Sequence, residues 1–497
     1  MTASPAPGPP YGLALAGLVF VLLVGTANAG GYRYGVSDQA FYIPAIHLAA
    51  GTAAFPRDAA VFAPQMRLWV GDEVLGAIVR TAGVDLPPLF AILYAGTMVL
   101  LALATIALAR SLGCSWWTIA AALVLLTLRH RIARTGANSL EGYFHPRMLA
   151  FACGMTAFAS MISGRRRSAG IWTIAAGVVH TSTALWFAGA LAVAAWWPER
   201  QSRAGRALAT AGAVVAVAAV LAAVATLPRM DADWLAVLAD RDYLFPADWP
   251  LYAWITNLAY PGVLWALYRR RVRAGQAVPG EAGLLAGLTA LVILFLVSVP
   301  LTGLRIAFVV QLQVNRVFWL LDAVTAVYLA WWVLDAVAIR RRRLQPMVVG
   351  GLALLALGRG AFILHDTGRP LARLTAAADP GWLDAADWLR AQPGSWHVLA
   401  DPAHAWRFGI SLRAAALRDT PLEAGKDPAM AMYDRALAGR VREYTALLAG
   451  FDDWTDAADI RRVDERLALD AFIDVRDRHF DLPVLYRNDR FVIYDLR

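Results

Sequence analysis

Long apolar stretches recur along this chain, and they constrain its fold more than any other feature. Between Tyr11 and Phe362 they repeatedly approach the length of about 20 residues that a helix needs to cross a bilayer. Only 17% of the 497 residues are charged and 59% are hydrophobic, whereas a soluble globular chain carries about 25% charged residues. The sequence therefore predicts an all-α polytopic membrane protein.

Arginine-rich loops between these stretches indicate which side of the membrane each loop occupies. The net charge of +9 is spread over these loops, where membrane topology uses it, and this placement argues against a nucleic-acid-binding protein. We predict that four clusters are cytoplasmic: Arg165–Arg167, Arg200 with Arg203 and Arg206, Arg269–Arg271 with Arg273, and Arg340–Arg343.

The apolar segment Ser168–Trp197 tests this assignment. Its 30 residues would make one helix of about 45 Å, which exceeds the hydrocarbon core of about 30 Å. A single span here would also place the three later arginine clusters outside. Two short helices that turn near His180–Ser182 keep all four clusters inside, and we predict this arrangement.

About eleven transmembrane helices follow, with the N-terminus in the cytoplasm and the C-terminal domain outside. The predicted spans lie near residues 11–28, 86–110, 116–129, 146–163, 168–180, 183–197, 207–227, 250–268, 281–299, 317–338 and 346–363. The first span ends in Ala27-Asn28-Ala29, which resembles a signal-peptidase site. Because no Lys or Arg precedes it, we expect the span to remain uncleaved.

A change of composition near His365 divides the chain into two predicted domains. Residues 1–364 form the transmembrane domain, with a long first outer loop at residues 30–85, and residues 365–497 form a small C-terminal α/β extracytoplasmic domain. Within the second domain the patterns predict helices at Asp379–Gln392 and Asp427–Ala449, and strands at Trp396–Ala400, Ala471–Val475, Pro483–Tyr486 and Phe491–Tyr494.

Asp38 is the first candidate catalytic residue. It lies about ten residues past the first span, among aromatic residues. A carboxylate partly removed from water there can have a raised pKa and act as a general base. The alternative is that Ser37 or Asp38 only caps an amphipathic helix that contains Phe41, Ile46 and His47. The spacing alone favours the cap.

The second outer loop carries positive charge where topology does not favour it. Between Leu128 and Arg147 it holds four arginines, two histidines and one glutamate. An anionic ligand would account for this, because arginine binds phosphate in a bidentate way; lipid headgroups are the alternative. The candidates here are Arg131, Arg134 and Arg147 for phosphate binding, and Glu141 and His145 for acid–base or positioning roles.

Further polar residues are predicted at the same outer depth: His180, Arg305, Gln313 and Arg316. Ionisable residues at membrane depth are functional candidates, although a lone histidine is more often a hydrogen-bonded core residue. Since all of them are placed at one interface, a substrate held there fits better than a transport path. Cys114 and Cys153 lack metal-ligand spacing, so no metal ligands are assigned.

An acidic residue early in a long first outer loop of a multi-span chain resembles the GT-C superfamily of glycosyltransferases. The short paired helices around His180, the Gln311–Arg316 region, and the tail from Asp387 to Asp489 are similar to bacterial members. The resemblance covers most of the chain as architecture. One departure is that the family often has two adjacent acids in this loop, whereas Gln39 follows Asp38, which argues against a metal here. A divalent cation is still left open as a cofactor.

The resemblance implies a glycosyltransferase of the bacterial inner membrane that uses a polyprenyl-phosphate-linked sugar donor. Its partners would be that donor, membrane lipids, and a glycan, lipid or protein acceptor at the outer face. Asp38 would deprotonate the acceptor, and the outer arginines would hold the leaving phosphate. The alternatives are an O-antigen-type polymerase or ligase, which needs no Asp38, and a transporter or flippase of lipid-linked glycans, which commonly shows internal repeats.

Overall fold

The computed structural model describes residues 11–67, 69–337, 344–376 and 378–497. The predicted cytoplasmic cluster Arg340–Arg343 lies outside these residues. The chain divides into two compact units, each built from three separate segments. Unit 1 comprises Met1–Tyr32, Ile92–Arg229 and Asp242–Ala372, and unit 2 comprises Arg33–Ala91, Met230–Arg241 and Arg373–Arg497.

Helices dominate the first three quarters of the chain. In order they are α1 (Tyr11–Asn28), α2 (Gln39–Ala50), α3 (Ala59–Met66), α4 (Gly71–Ala82), α5 (Leu86–Ser111), α6 (Trp116–Thr127), α7 (Pro146–Ile162), α8 (Arg166–Val179), α9 (Thr181–Trp196), α10 (Arg203–Thr226), α11 (Ala232–Val237), α12 (Leu251–Arg273), α13 (Glu281–Gly303), α14 (Ala307–Leu312), α15 (Val317–Trp331) and α16 (Gln345–Asp366).

Every segment that the sequence predicts as a span is helical, in α1, α5–α10, α12, α13, α15 and α16. By length and composition, five described helical segments are long and apolar enough to cross a membrane: Leu86–Ser111, Arg203–Thr226, Glu281–Gly303, Ala307–Ala336 and Gln345–Asp366. The structure therefore confirms the helical character of these segments, and the count of eleven spans stays a prediction.

The predicted break in the segment Ser168–Trp197 is confirmed. α8 ends at Val179 and α9 begins at Thr181, and His180 between them is extended, with φ −160° and ψ 99°. Its imidazole Nδ1 accepts a hydrogen bond from the Thr183 N–H, which caps α9 in place of the lost helical bond. Small buried residues let the two helices pack closely against α7: Ala150, Cys153, Ala176 and Ala184.

The C-terminal part of unit 2 contains the predicted sheet. The remaining strands and helices are β1 (Tyr32–Tyr34), β2 (Ala372–Ala376), α17 (Pro380–Ala391), β3 (Val398–Leu399), α18 (His404–Arg407), α19 (Leu412–Ala415), α20 (Asp427–Ala431), α21 (Arg435–Leu447), α22 (Ala457–Leu467), β4 (Ala471–Val475), β5 (Val484–Arg487) and β6 (Phe491–Asp495). The four-stranded sheet has the order β3-β4-β6-β5, with β3 parallel to β4 and the other pairs antiparallel.

The amphipathic helix predicted at Asp379–Gln392 is confirmed as α17. The Asp379 carboxylate accepts hydrogen bonds from the Gly381 and Trp382 N–H groups, and Trp382 and Leu389 are fully buried. The single helix predicted at Asp427–Ala449 is wrong.

Two helices, α20 and α21, replace the predicted single helix. They are separate because Asp434 has a non-helical backbone conformation, with φ −143° and ψ 122°. Its carboxylate then caps α21 through the Ala436 and Leu437 N–H groups. A further helix, α22, follows without having been predicted, and it buries Ile460, Val463 and Leu467.

Residues 33–91 belong to unit 2 together with the C-terminal residues. The sequence predicts most of this segment as an outer loop of the transmembrane domain. A buried ion-pair network joins the two parts: Arg413 lies between Asp58 and Asp427, and all three side chains are at most 2% exposed. Charged groups this well buried need partners of opposite charge. The ion pairs of Arg413 therefore hold the start of α3 against α19 and α20.

Candidate functional site

The second outer loop of unit 1 is a compact turn that leads into α7. A single β-bridge pairs Arg131 with Asn138, and Ile132 and Leu140 are buried beneath it. Arg131 is exposed. The bridge therefore presents Arg131 to solvent and directs the rest of the loop toward the helix.

Glu141 and Arg147 form a buried ion pair at the end of this loop. The Arg147 guanidinium donates to Glu141 Oε1 at 3.1 Å, and the two side chains are only 6% and 5% exposed. The Asn138 side-chain amide donates to both Glu141 oxygens at 3.2 Å. The guanidinium also lies 5.8 Å from the Trp319 ring centroid. These contacts fix the position of Arg147 and make Glu141 its counter-ion.

Two helices of unit 1 begin at histidines that lie side by side. His145 Nδ1 accepts from the Arg147 N–H and caps α7, and His180 Nδ1 caps α9 in the same way. The two rings meet edge to face, with centroids 6.3 Å apart. Because each Nδ1 acts as an acceptor, the neutral form of each ring carries its proton on Nε2, which is then a donor.

Positive charge converges on these two helix starts. His145 contacts the His180 ring and the Arg147 N–H, and the guanidinium groups of Arg147 and Arg316 act on His180 electrostatically. We call these four predicted site residues the capping cluster. Helix N-termini carry partial positive charge and unsatisfied N–H groups, and they attract anions. The capping cluster therefore combines two helix N-termini, two guanidinium groups and two imidazole N–H donors.

Arg134 and Arg305 are engaged with carboxylates of the segment Pro228–Trp249. Arg134 forms an ion pair with Asp242, and Arg305 lies 3.8 Å from Asp248 with its guanidinium 4.4 Å from the Phe245 ring centroid. Each is about one-third exposed. These two arginines therefore have carboxylate partners that were not predicted from the sequence. The partners neutralise part of the positive charge that would otherwise attract an anionic ligand.

The segment between α14 and α15 positions Arg316. Gln313 is buried and has a positive φ of 50°, which ends α14. Asn315 is buried and its side chain donates to the Tyr243 carbonyl at 2.7 Å. This tight turn places Arg316 at the start of α15. Gln313 thus has a structural role as the helix end, and a ligand contact for it stays a prediction.

Asp38 lies in unit 2, at the start of α2. It has helical backbone angles, φ −71° and ψ −8°, and its side chain makes no capping hydrogen bond to the described residues of α2. Its carboxylate instead receives a hydrogen bond from Lys426 Nζ at 2.8 Å, and 32% of its side chain is exposed. The geometry does not support the simple helix cap. That Asp38 and the capping cluster serve one substrate stays a prediction.

His130 of the second outer loop is an ionisable residue that was not among the predicted site residues. His130 Nε2 lies 3.1 Å from both carboxylate oxygens of Asp322, and its Nδ1 lies 2.9 Å from the Leu128 carbonyl. Both ring nitrogens face oxygen acceptors, an arrangement that favours the protonated ring. The hydrogen bond to Asp322 accordingly raises the pKa of His130. The signal in the sequence was Asp322 itself, an isolated carboxylate within an apolar segment.

Among the described residues, no group of three or more His, Cys, Asp and Glu side chains is arranged to hold a metal ion. The site residues are therefore arginines, histidines and single carboxylates. Guanidinium groups can bind anions, and imidazoles and carboxylates can transfer protons.

Comparisons with known proteins give no family assignment. No protein-family model matches the sequence, and no curated protein matches it. Among solved structures, the chain is similar to the oligosaccharyltransferase of Archaeoglobus fulgidus in the apo form, with 12% identity over 93% of this chain and 69% of that chain and a TM-score of 0.47. The same enzyme tethered to an acceptor peptide with the NVT sequon gives 11% identity, the same coverage and a TM-score of 0.43. With both scores below 0.5, these similarities assign neither a fold nor a function to this chain.

Proposed function

We propose that this protein is a membrane glycosyltransferase of the GT-C type. It moves a sugar from a polyprenyl-phosphate-linked donor to an acceptor at the outer face of the bacterial inner membrane, with inversion at the anomeric carbon. The observation that carries the proposal is the capping cluster, in which His145 and His180 cap the N-termini of two helices and Arg147 and Arg316 lie close enough to act on His180 electrostatically. This arrangement suits a phosphate that gains charge as it leaves.

The capping cluster is preorganised for the leaving phosphate. Arg147 is held by Glu141 and by the Trp319 ring, so little motion is needed when charge develops. Donors fixed in advance stabilise a developing negative charge far better than mobile ones. Glu141 neutralises part of this charge, and Arg316 with the helix N-termini leaves an excess of positive potential. Arg131, which is exposed, supplies a further guanidinium at the entrance to the loop.

Asp38 is the proposed general base. It takes the proton of the acceptor hydroxyl as that oxygen attacks the anomeric carbon, and the bond from this carbon to the phosphate oxygen breaks. The electron pair of that bond passes to the phosphate. Attack opposite the leaving group inverts the anomeric centre. His145 and Glu141 act as positioning residues, because the one caps α7 and the other holds Arg147.

The test is a transfer assay with the purified full chain and a set of polyprenyl-phosphate-linked sugars, with products identified by mass spectrometry. Asp38→Asn keeps the size of the side chain and removes its basicity, so the rate should fall about 10²–10⁴-fold. Binding of the lipid phosphate should change little. Arg316→Gln should instead weaken that binding by about 1.5–3 kcal/mol, the usual contribution of a charged hydrogen bond.

Two variants serve as controls. Arg147→Gln alone removes the nearer of the two cations beside the buried Glu141 and leaves only Arg129, at 4.0 Å. The double variant Glu141→Gln with Arg147→Gln therefore separates lost binding from lost stability. Arg200 lies over the Trp197 ring and is not one of the proposed phosphate-binding residues. The Arg200→Gln variant should therefore bind lipid phosphate normally. Full transfer by Asp38→Asn, with loss in the arginine variants, would mean that Glu141 or His145 is the base. No turnover of any donor, together with no phosphate binding, would contradict the proposal.

A further inference from the structure

Lys426 is the sole lysine in a sequence with 46 lysines and arginines in total. Its ammonium contacts three groups of the short segment Ser37–Phe41. Nζ lies 2.8 Å from the Asp38 carboxylate and 3.3 Å from Ser37 Oγ, and 5.8 Å from the Phe41 ring centroid. The one lysine of the chain therefore sits beside the proposed general base.

The chemistry of these three contacts suits lysine better than arginine. An ammonium is a compact point charge with three donors that point in different directions, whereas a guanidinium is a planar fork. A carboxylate, a hydroxyl and an aromatic face around one atom match the ammonium. The other ion pairs among the described residues use arginine or histidine, so Lys426 is distinguished by the geometry of its three contacts.

The segment that Lys426 holds is backbone-strained. Ser37 has a positive φ of 56°, a left-handed conformation that residues with a side chain disfavour, whereas the nearby Gly35 adopts its positive φ of 78° without strain. The turn is closed by Gln39, which is fully buried and whose side-chain oxygen accepts from the Gly35 N–H at 2.7 Å. Strained positions persist where surrounding contacts hold them, and they gather at functional sites.

These same contacts bear on the divalent cation that the GT-C resemblance leaves open. Such an ion needs several oxygen ligands, with carboxylates among them. The second acid of the family pattern is replaced by Gln39, whose oxygen is engaged with the backbone. One oxygen of Asp38 already faces an ammonium at 2.8 Å, and a metal ion bound there would meet like charge. The residues present do not fit a divalent cation.

We propose that Lys426 is a positioning residue that supplies the positive charge beside Asp38, and that sugar transfer by this protein needs no metal ion. This inference rests on the proposed function. The ammonium keeps Asp38 ionised and oriented toward the acceptor hydroxyl, because an adjacent opposite charge favours the carboxylate form. Lys426 acts through Asp38 and makes no bond to the sugar.

The experiment measures transfer by the full chain as a function of pH, with and without EDTA. Lys426→Gln should lower kcat about 10–100-fold and leave the KM for the donor unchanged. The acidic limb of its pH profile should move to higher pH, because the variant removes the positive charge 2.8 Å from the Asp38 carboxylate. Lys426→Arg keeps the charge and should keep the limb near its original position. EDTA should leave the rate of the unaltered protein unchanged.

Arg241→Gln is the matched control. Arg241 donates to the carbonyl of Gly425, the neighbour of Lys426, at 2.8 Å, so the variant removes a nearby cation without touching Asp38. It should keep both the rate and the pH limb. If Lys426→Gln fails to fold, as judged by its thermal unfolding, Lys426→Arg and the EDTA measurement decide the question alone.

Two results would overturn the inference: loss of activity with EDTA that Mn²⁺ or Mg²⁺ restores, or an unchanged rate and pH limb in Lys426→Gln. The Asp38→Asn variant, assayed in parallel, distinguishes a failure of the proposed role of Lys426 from a failure of the proposed function. If it abolishes transfer while Lys426→Gln is silent, the proposed function stands and the role of Lys426 falls. If Asp38→Asn itself is silent, the proposed base is wrong.

Discussion

Arg413→Met is expected to destabilise unit 2 strongly, because it removes the cation from a buried network. Arg413 is 1% exposed and donates to Asp58 at 2.7 Å, to Asp427 and to the Thr420 carbonyl at 2.9 Å. Methionine fills much of the same volume but leaves two buried carboxylates without this partner. Removing one member of a buried ion pair costs about 3–5 kcal/mol.

The lower end of that range applies here. Asp58 keeps a second ion pair with Arg440, so only part of its charge becomes uncompensated, and we expect a loss of about 3 kcal/mol. A loss of 1 kcal/mol lowers Tm by about 2–4 °C in a domain of 150–250 residues, so Tm should fall by about 6–12 °C.

The assay is thermal unfolding of the full chain in detergent, followed by tryptophan fluorescence and by limited proteolysis. The matched control is Arg466→Met, in the same unit. Arg466 donates to Glu443 Oε1 at 3.1 and 2.8 Å, but these side chains are 67% and 47% exposed, and surface pairs contribute about 0–1 kcal/mol. Equal Tm values for the two variants would refute the argument from burial.

Two further predictions concern pH and topology. Burial, helped by the charge of Glu73, raises the pKa of Asp72 to about 8; since the unfolded pKa is about 3.9, the folded state holds this proton more tightly, and stability should fall as pH rises from about 4 through about 8. Asp72→Asn should flatten that decline in a Tm-against-pH series, and an unchanged slope would contradict the assignment. Cysteine labelling in intact cells should find Arg165–Arg167 in the cytoplasm and the region after His365 outside, and a cytoplasmic C-terminus would overturn the predicted topology.

Local patterns predicted the helices well. Apolar length marked the helical segments, and the mismatch between Ser168–Trp197 and a bilayer located the break at His180. Asp379, which precedes Pro380, predicted the start of α17 because Asp is a favoured N-cap residue and Pro a favoured first helical residue. These features depend on residues close together in the sequence, and such signals can be read without knowing the fold.

Long-range partners could not be predicted in this way. Arg134 and Arg305 looked available for phosphate, but Asp242 and Asp248 meet them from a distant loop. Asp38 looked like a helix cap, yet Lys426 approaches it from 388 residues away. The grouping of residues 33–91 with the C-terminal residues depends on Asp58 and Arg413. The local sequence around these residues does not predict which distant residue each of them contacts.

Residues that are close in the sequence explain only part of the predicted cluster of outer polar residues. His145 and Arg147 are two residues apart in the sequence, so the start of α7 brings them together by its own geometry. His180 and Arg316 join them through helix packing, and their shared charge environment emerges only in the folded unit. The common feature in the sequence was the predicted depth of these residues, which follows from topology.

A map of the purified protein with bound polyprenyl phosphate tests the central claim most directly. We expect the phosphate within hydrogen-bonding distance, about 3 Å, of the guanidinium groups of Arg147 or Arg316 and of Nε2 of His180. Phosphate density at the predicted cytoplasmic arginine clusters, with none at the capping cluster, would contradict the proposal that this protein transfers sugars from a lipid-phosphate donor at the outer face.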